Sequence, residues 1–351
     1  MSLHQLDHFI NTPRTCNLFG TCKHCFIENI PPEKEILPLE QIEKVYQNFS
    51  DNGVKKAVVT GGEPLARPGY LRILKAACHY FKTVNVQTNG TMYQNFRNFD
   101  NLAVTLSLES ADPTYDSYIR GPEHWEITHV NLIQYVESLG PNRVTIRSTI
   151  FQDNDIHGLL DLARELGVGW IGVRFKQMGC GKKRDELAPT AERMLDVYDT
   201  VYEHTKKYKN EERVFVEEGQ YYLAAEVLHN KYGKYFKKAG TSCPWGHRLA
   251  MQVNGELFPC FYAMGDDRFF LGNALKTPWE EIQINMDKLI RERDTRKFID
   301  QCITCKYKPE CGGNCSLLNW EVKKRGDDVC PLHLINELKN GIKKIPIQGP
   351  T

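Results

Sequence analysis

Over the first half of the chain, short β-branched apolar runs alternate with longer stretches of helical period. KKAVVTGGEP (55–64), TVNVQTNG (83–90), LAVTLSLES (102–110), RVTIRSTI (143–150) and WIGVRFKQMG (170–179) read as strands, with Gly, Ser or Asn near most of their ends. LDHFI (6–10) reads as a strand ahead of them. Between the strands, residues 38–51, 69–81, 123–139 and 156–167 place apolar residues at i, i+3, i+4 and i+7, the spacing of helices with one buried face. Strand–helix alternation of this kind gives a parallel sheet with helices outside it. Six such strands predict an α/β fold, a partial (β/α)6 TIM-like barrel whose site lies at the C-terminal ends of the strands. Residues 190–209 read as one more helix. The alternation then stops, 211–240 reads as a bridging segment, and from Cys243 onward turn signals such as NGE and CGGNC predict a loop-rich region. The expected units are 1–210, 211–240 and 241–351.

Composition narrows the class. Charged residues are 25 % of the 351 and the net charge is +1, so neither nucleic acid nor an anionic membrane is an expected partner. No apolar run is long enough to span a bilayer, and MSLHQLDHFINTPRT has no secretory pattern, so the expected location is the cytoplasm. Twelve cysteines are the anomaly. In a long chain without a secretion signal, clustered thiols point to metal binding or catalysis rather than to disulfides.

TCNLFGTCKHCF (15–26) holds Cys16, Cys22 and Cys25 in the spacing C-x5-C-x2-C, directly after the first strand. Three thiolates on one loop can hold three irons of a [4Fe–4S] cluster and leave the fourth open. Zinc is the alternative, with His24 as a fourth ligand. TGGEP (60–64) closes the second strand; Gly61 and Gly62 permit close backbone approach to a ligand, and Glu63, before Pro64, offers a carboxylate to an amine. Near the other end, CITCKYKPECGGNC carries Cys302, Cys305, Cys311 and Cys315 in C-x2-C-x5-C-x3-C. Cys243, Gly255 and Cys260 precede them, and Cys330 follows.

Together the cysteine loop and GGEP resemble the radical S-adenosylmethionine (SAM) enzymes. The resemblance implies a cluster on Cys16, Cys22 and Cys25 whose open iron is chelated by the methionine moiety of SAM. It implies that Gly61, Gly62, Glu63 and Pro64 hold the amine. It further suggests Ser107 and Glu109 of SLES near the ribose, Arg120 of YIRG at the methionine carboxylate, and Asn89 and Arg147 as additional SAM contacts. The sequence departs from the usual C-x3-C-x2-C pattern by its longer first gap, and His24 stands where an aromatic usually precedes the last cysteine. The C-terminal cysteines resemble a SPASM domain, the auxiliary-cluster extension of peptide- and protein-modifying members. By that resemblance Cys302, Cys305, Cys311 and Cys330 bind an outer auxiliary cluster, and Cys243, Cys260 and Cys315 an inner one, giving three [4Fe–4S] clusters. The segment 234–242 has no cysteine, so the inner cluster is expected to keep an open iron or a distal ligand. This argues against a sulfatase-maturing activity.

Two cysteines fall outside these groups. Cys78 reads as a small buried hydrophobe on a helix. Cys180, after the sixth strand and beside Lys182, Lys183 and Arg184, reads as a hydrogen-atom donor, a cluster ligand or a loop thiol. KYGKYFKK (231–238) reads as a solvated basic face. The resemblance implies a peptide or protein substrate and a thioether or carbon–carbon cross-link, an oxidation or an epimerisation. It also implies an external reductant such as flavodoxin or ferredoxin. Because the cysteine loop starts by residue 16, a separate peptide-recognition protein is expected, or else a small substrate. The other readings are a small-molecule radical dehydrogenase or transferase, and a zinc-binding scaffold.

Overall fold

The computed structural model describes residues 3–27, 36–210, 212–217 and 245–296, with residues 303 and 305. All six expected strands are present: β1 (Gln5–Phe9), β2 (Lys56–Thr60), β3 (Thr83–Thr88), β4 (Leu102–Ser107), β5 (Val144–Ile150) and β6 (Gly169–Arg174). They pair in parallel in chain order, Asp7 opposite Val58 and Ser107 opposite Arg147, for example. The expected helices are α1 (Leu39–Asp51), α2 (Tyr70–Tyr80), α4 (His124–Leu139), α5 (Ile156–Glu165) and α6 (Ala191–Tyr208). A further short helix, α3 (Pro113–Arg120), lies between β4 and α4; Asp112 caps it by accepting the Thr114 N–H, and Pro113 opens it.

The core lies between the sheet and these helices. On α1 the buried residues are Ile42, Val45, Tyr46 and Phe49, and on α5 Ile156, Leu159, Leu160 and Ala163, each an i, i+3, i+4, i+7 stripe. The strands present their other face inward. On β5, Val144, Ile146, Ser148 and Ile150 are buried, while Thr145, Arg147 and Thr149 alternate with them.

The sheet continues past residue 210. β7 (Val214–Val216) adds in parallel beside β6, and β8 (Arg248–Met251) adds in parallel on the free side of β1. β9 (Glu256–Phe258) and β10 (Gly272–Asn273) follow β8 antiparallel, giving ten strands in the order β10-β9-β8-β1-β2-β3-β4-β5-β6-β7. The region expected to be loop-rich also holds an eighteen-residue helix, α7 (Trp279–Arg296). Its apolar stripe is sparse: Trp279, Ile282, Met286 and Leu289 are buried among many charges. Trp279 meets Phe49 of α1 edge to face, which ties α7 to the barrel's helical layer. Among the described residues, no helix is long and apolar enough to cross a membrane.

Candidate active site

The inward positions of the strands and the loops after them enclose a cavity of about 210 Å³. Cys16, Cys22 and Cys25 line it, with Gly61, Gly62, Asn89, Ser107, Glu109, Arg120 and Arg147. Ten of the expected site residues, spread over more than a hundred positions, thus share one space. Glu63, Pro64 and Cys180 are not among the described residues that line it.

The cysteine loop is pressed against the turn after β2. A Cβ on Gly62 would fall 2.2 Å from the Thr12 carbonyl oxygen and 3.1 Å from the Cys16 Cβ. Gly61 has φ +149°, and a Cβ there would meet the Asn11 backbone at 2.7 Å. Both glycines are therefore required for two chains to pass this closely. Asn89 connects the turn after β3 to the same loop: its amide donates to Asn17 Oδ1 at 2.8 Å and lies 3.8 Å from the Cys16 sulfur.

Glu63 departs from its expected role. It is fully buried, and both carboxylate oxygens are engaged inside the protein. Oε1 accepts the Leu65 N–H at 3.0 Å and the Thr88 hydroxyl at 2.8 Å, and Oε2 accepts the Asn89 N–H at 2.7 Å. Burial pushes its carboxyl up to about 7, against those hydrogen bonds. The carboxylate braces the β2 and β3 turns together, and the glycine backbone is what this turn presents to the cavity.

Glu109 and Arg120, expected to meet different parts of SAM, meet each other. Glu109 is fully buried, Arg120 nearly so, and the guanidinium grips Oε1 through Nε at 2.9 Å and through Nη2. His24 Nε2 stands 3.3 Å from the same oxygen, and the Thr149 N–H donates to the other. Burial would raise the Glu109 carboxyl, but Arg120 and His24 hold it below the usual carboxylate range. His24 also lies 3.5 Å from the Cys22 sulfur and edge-on to Phe151. Burial opposes its charge, yet the Cys22 thiolate and Glu109 raise it to about 9. In return His24 brings the Cys22 thiol to about 7 although burial would raise it, while burial pushes Cys16 up.

At the other end of the cavity the sequence reading named Arg147 and missed its partners. There Arg147 Nη1 pairs with Glu217 Oε2 at 2.7 Å. Arg248 on β8 reaches Glu217 at 3.4 Å and Asp7 on β1 at 3.5 Å. Arg174 and Lys176 line the same end, the Lys176 ammonium lying 4.8 Å from the centre of the Tyr262 ring. Asp7 is buried, and among the described residues its Oδ2 has no hydrogen-bond donor in good geometry. Burial raises its carboxyl. Besides Arg147, the β1 alternation, with Gln5 and Asp7 inward, carried a signal for this end; Glu217 and Arg248 fell in segments read as bridge and loop.

Cys180 donates its backbone N–H to the Cys25 carbonyl at 3.0 Å, so its loop packs on the cysteine loop. Cys78 is half-buried against the core on α2, and burial pushes its thiol up to about 11. Cys260 is buried and Cys305 half-buried. Cys243, Cys302, Cys311, Cys315, Cys330 and the 231–238 segment lie outside the described residues.

The donor set suits the expected group. Thiols, which bind iron as thiolates, share the cavity with the glycine backbone of the turn after β2. In donor chemistry Cys16, Cys22 and Cys25 suit a [4Fe–4S] cluster.

Comparison with known proteins agrees with this geometry. Residues 10–166 match the radical SAM superfamily. AlbA, the antilisterial bacteriocin subtilosin biosynthesis protein of Bacillus subtilis, is 24 % identical over 85 % of this chain and 64 % of its own length. The chain thus spans just under two thirds of that relative. The AdoMet-dependent heme synthase of Methanosarcina barkeri is 24 % identical over 85 % of this chain and 87 % of its own. In fold, the chain resembles Streptococcus suis SuiB bound to the precursor peptide SuiA, with a TM-score of 0.72, 19 % identity, and coverage of 94 % of this chain and 75 % of that one. The matching family implies a [4Fe–4S] cluster and SAM. The cysteine loop and the glycine turn, which the parallel sheet brings together, both lie within residues 10–166, the part of the chain that matches the radical SAM superfamily.

Proposed function

We propose that this enzyme modifies a peptide or protein by hydrogen abstraction, in the manner of ribosomal-peptide maturases. The observation that carries the reading is the two-ended cavity. One end holds the three cysteines; the other presents carboxylates at Asp7 and Glu217 beside guanidiniums at Arg147 and Arg248. A peptide backbone offers N–H donors and C=O acceptors in alternation, so a wall with both kinds of partner suits it. The bacteriocin role of AlbA and the peptide bound to SuiB support the same class.

Cys16, Cys22 and Cys25 would hold the SAM cluster, with Gly61, Gly62 and Asn89 bordering the cofactor and Ser107, Glu109 and Arg120 on the neighbouring wall. When bound, the cluster and SAM supply a 5′-deoxyadenosyl radical, fed by a reductant such as flavodoxin or ferredoxin. The chain's own part is to orient substrate and exclude water. The buried Glu109–Arg120 pair, with His24 beside it, braces the wall against which the substrate and cofactor are aligned. Cys302, Cys305, Cys311 and Cys330 would hold one auxiliary cluster and Cys243, Cys260 and Cys315 a second, as in a SPASM domain. Cys180 stays a candidate hydrogen donor.

The test is anaerobic incubation of reconstituted enzyme with SAM, dithionite and short peptides encoded beside its gene. Peptide-dependent formation of 5′-deoxyadenosine is expected. A product lighter by two hydrogens indicates cross-linking or oxidation; solvent deuterium at a Cα indicates epimerisation. The second reading, a small-molecule dehydrogenase or transferase, draws on the likeness to a heme synthase, also 24 % identical. Deoxyadenosine formed with a metabolite and with no peptide would establish it and overturn the first.

A further inference from the structure

Behind the cavity wall, a buried pair of side chains joins the turns after β3 and β4. His124, the first residue of α4, is 1 % exposed, and Asp116 of α3 is fully buried. His124 Nδ1 meets Asp116 Oδ2 at 2.5 Å, and Nε2 meets the Asn89 carbonyl oxygen at 2.8 Å. The other Asp116 oxygen accepts the Glu109 N–H at 2.7 Å. A carbonyl oxygen only accepts, so Nε2 carries a proton, and a second proton lies between Nδ1 and the carboxylate. The connection runs unbroken from Glu109 N–H through Asp116 and His124 to Asn89. From there the Asn89 side chain reaches Asn17 and the Cys16 sulfur. Asn131 holds the next carbonyl, that of Gly90, at 2.8 Å.

Neither His124 nor Asp116 contributes a side chain to the cavity. The geometry points to His124 and Asp116 as positioning residues that fix the spacing between the Asn89 turn and the Glu109 turn. They thereby set where SAM sits relative to the cysteine loop. Packing alone would hold two turns near each other. A buried imidazole bonded at both nitrogens holds them at one distance, because leaving either nitrogen unmade inside the protein is costly. The inference rests on the reading of this cavity as the SAM site.

The experiment titrates SAM into the reduced, reconstituted enzyme and follows the cluster's EPR spectrum, with iron content and melting temperature measured alongside. H124F keeps the ring's bulk and removes both hydrogen bonds. It is expected to retain iron and to need roughly tenfold more SAM for the same spectral change, a loss of about 1.4 kcal/mol. D116N is expected to stay near wild type: its carbonyl still accepts the Glu109 N–H, and its amide donates to a neutral imidazole that keeps Nε2–H on Asn89. If H124F holds no cluster, H124N, too short to reach Asn89, is read in its place. A SAM titration of the His124 variant that superimposes on wild type overturns the inference, as does equal weakening in D116N and H124F. A wild-type spectrum that does not respond to SAM overturns instead the reading of the cavity on which the inference rests.

Discussion

The two ends of the cavity are built on different principles. At the cysteine end, the residues come from loops directly after β1, β2, β3 and β4, and the three thiols lie within ten positions of one another. At the other end, Asp7, Arg147, Glu217 and Arg248 come from β1, β5, the residue after β7, and β8, a span of more than two hundred positions. Ligating a cluster demands several identical groups at short range, which a single loop supplies. Orienting a substrate demands charges arriving from several directions, which only a curved sheet supplies. Glu217 and Arg248 show the curvature: in sheet order they belong to strands separated by all of β1–β6, yet they touch.

The contrast breaks most sharply on substitution of a cysteine. C16A, C22A or C25A is expected to abolish deoxyadenosine formation and to lower iron content, whereas R147M is expected to keep its iron; iron and sulfide assays decide this. Loss of iron in R147M would merge the two ends into one functional unit. Next in size is R120L, which leaves Glu109 buried with His24 and the Thr149 N–H as its partners. A cost of about 3 kcal/mol is expected, read from denaturant midpoints, because a buried charge has lost its main partner. E109Q added to R120L should recover part of it; additivity of the two losses would show that the pair does not interact.

G62A comes third. Its Cβ has no room beside Thr12, so the cysteine loop must move, at an expected cost of about 2 kcal/mol and with weaker cluster retention on dilution. R147M itself is expected to cost only about 1 kcal/mol, because Glu217 is partly open to the cavity and keeps Arg248.

The smallest effect is one of pH. Burial would raise the Glu217 carboxyl, but Arg147 and Arg248 hold it down to about 2, from an ordinary 4.5. A depressed folded value stabilises above the unfolded value, and that contribution is lost as pH falls from about 4.5 to about 2. The stability difference between wild type and E217Q should therefore be constant at neutral pH and shrink through that acid window. A difference unchanged throughout would remove the ion pairs from the account.

Much of the barrel half was legible. β1 to β6 and five helices follow from periodicity, because each strand buries one face and each helix one stripe against the same core. α3 escaped because its eight residues expose more than they bury; Asp116, Ile119 and Arg120 are its buried positions, and two of these are charged. α7 escaped because four apolar anchors in eighteen residues are diluted by acid and base. The three-residue β7 and four-residue β8 are too short to show alternation, and they are held by pairing with β6 and β1.

The same division holds within the site. By itself the sequence determined the local chemistry: three thiols at fixed spacing, two glycines at a strand end, and the inward or outward sense of each strand residue. These depend on neighbours in the chain, and a period of two or of 3.6 records them. Only the tertiary structure decided that Glu63 is buried as a brace between two turns, that Glu109 and Arg120 partner one another, and that Asp7 meets Arg248 from across the chain. Those outcomes depend on which polar groups burial brings together. A buried carboxylate must find donors wherever the fold places them, and no local pattern names them in advance.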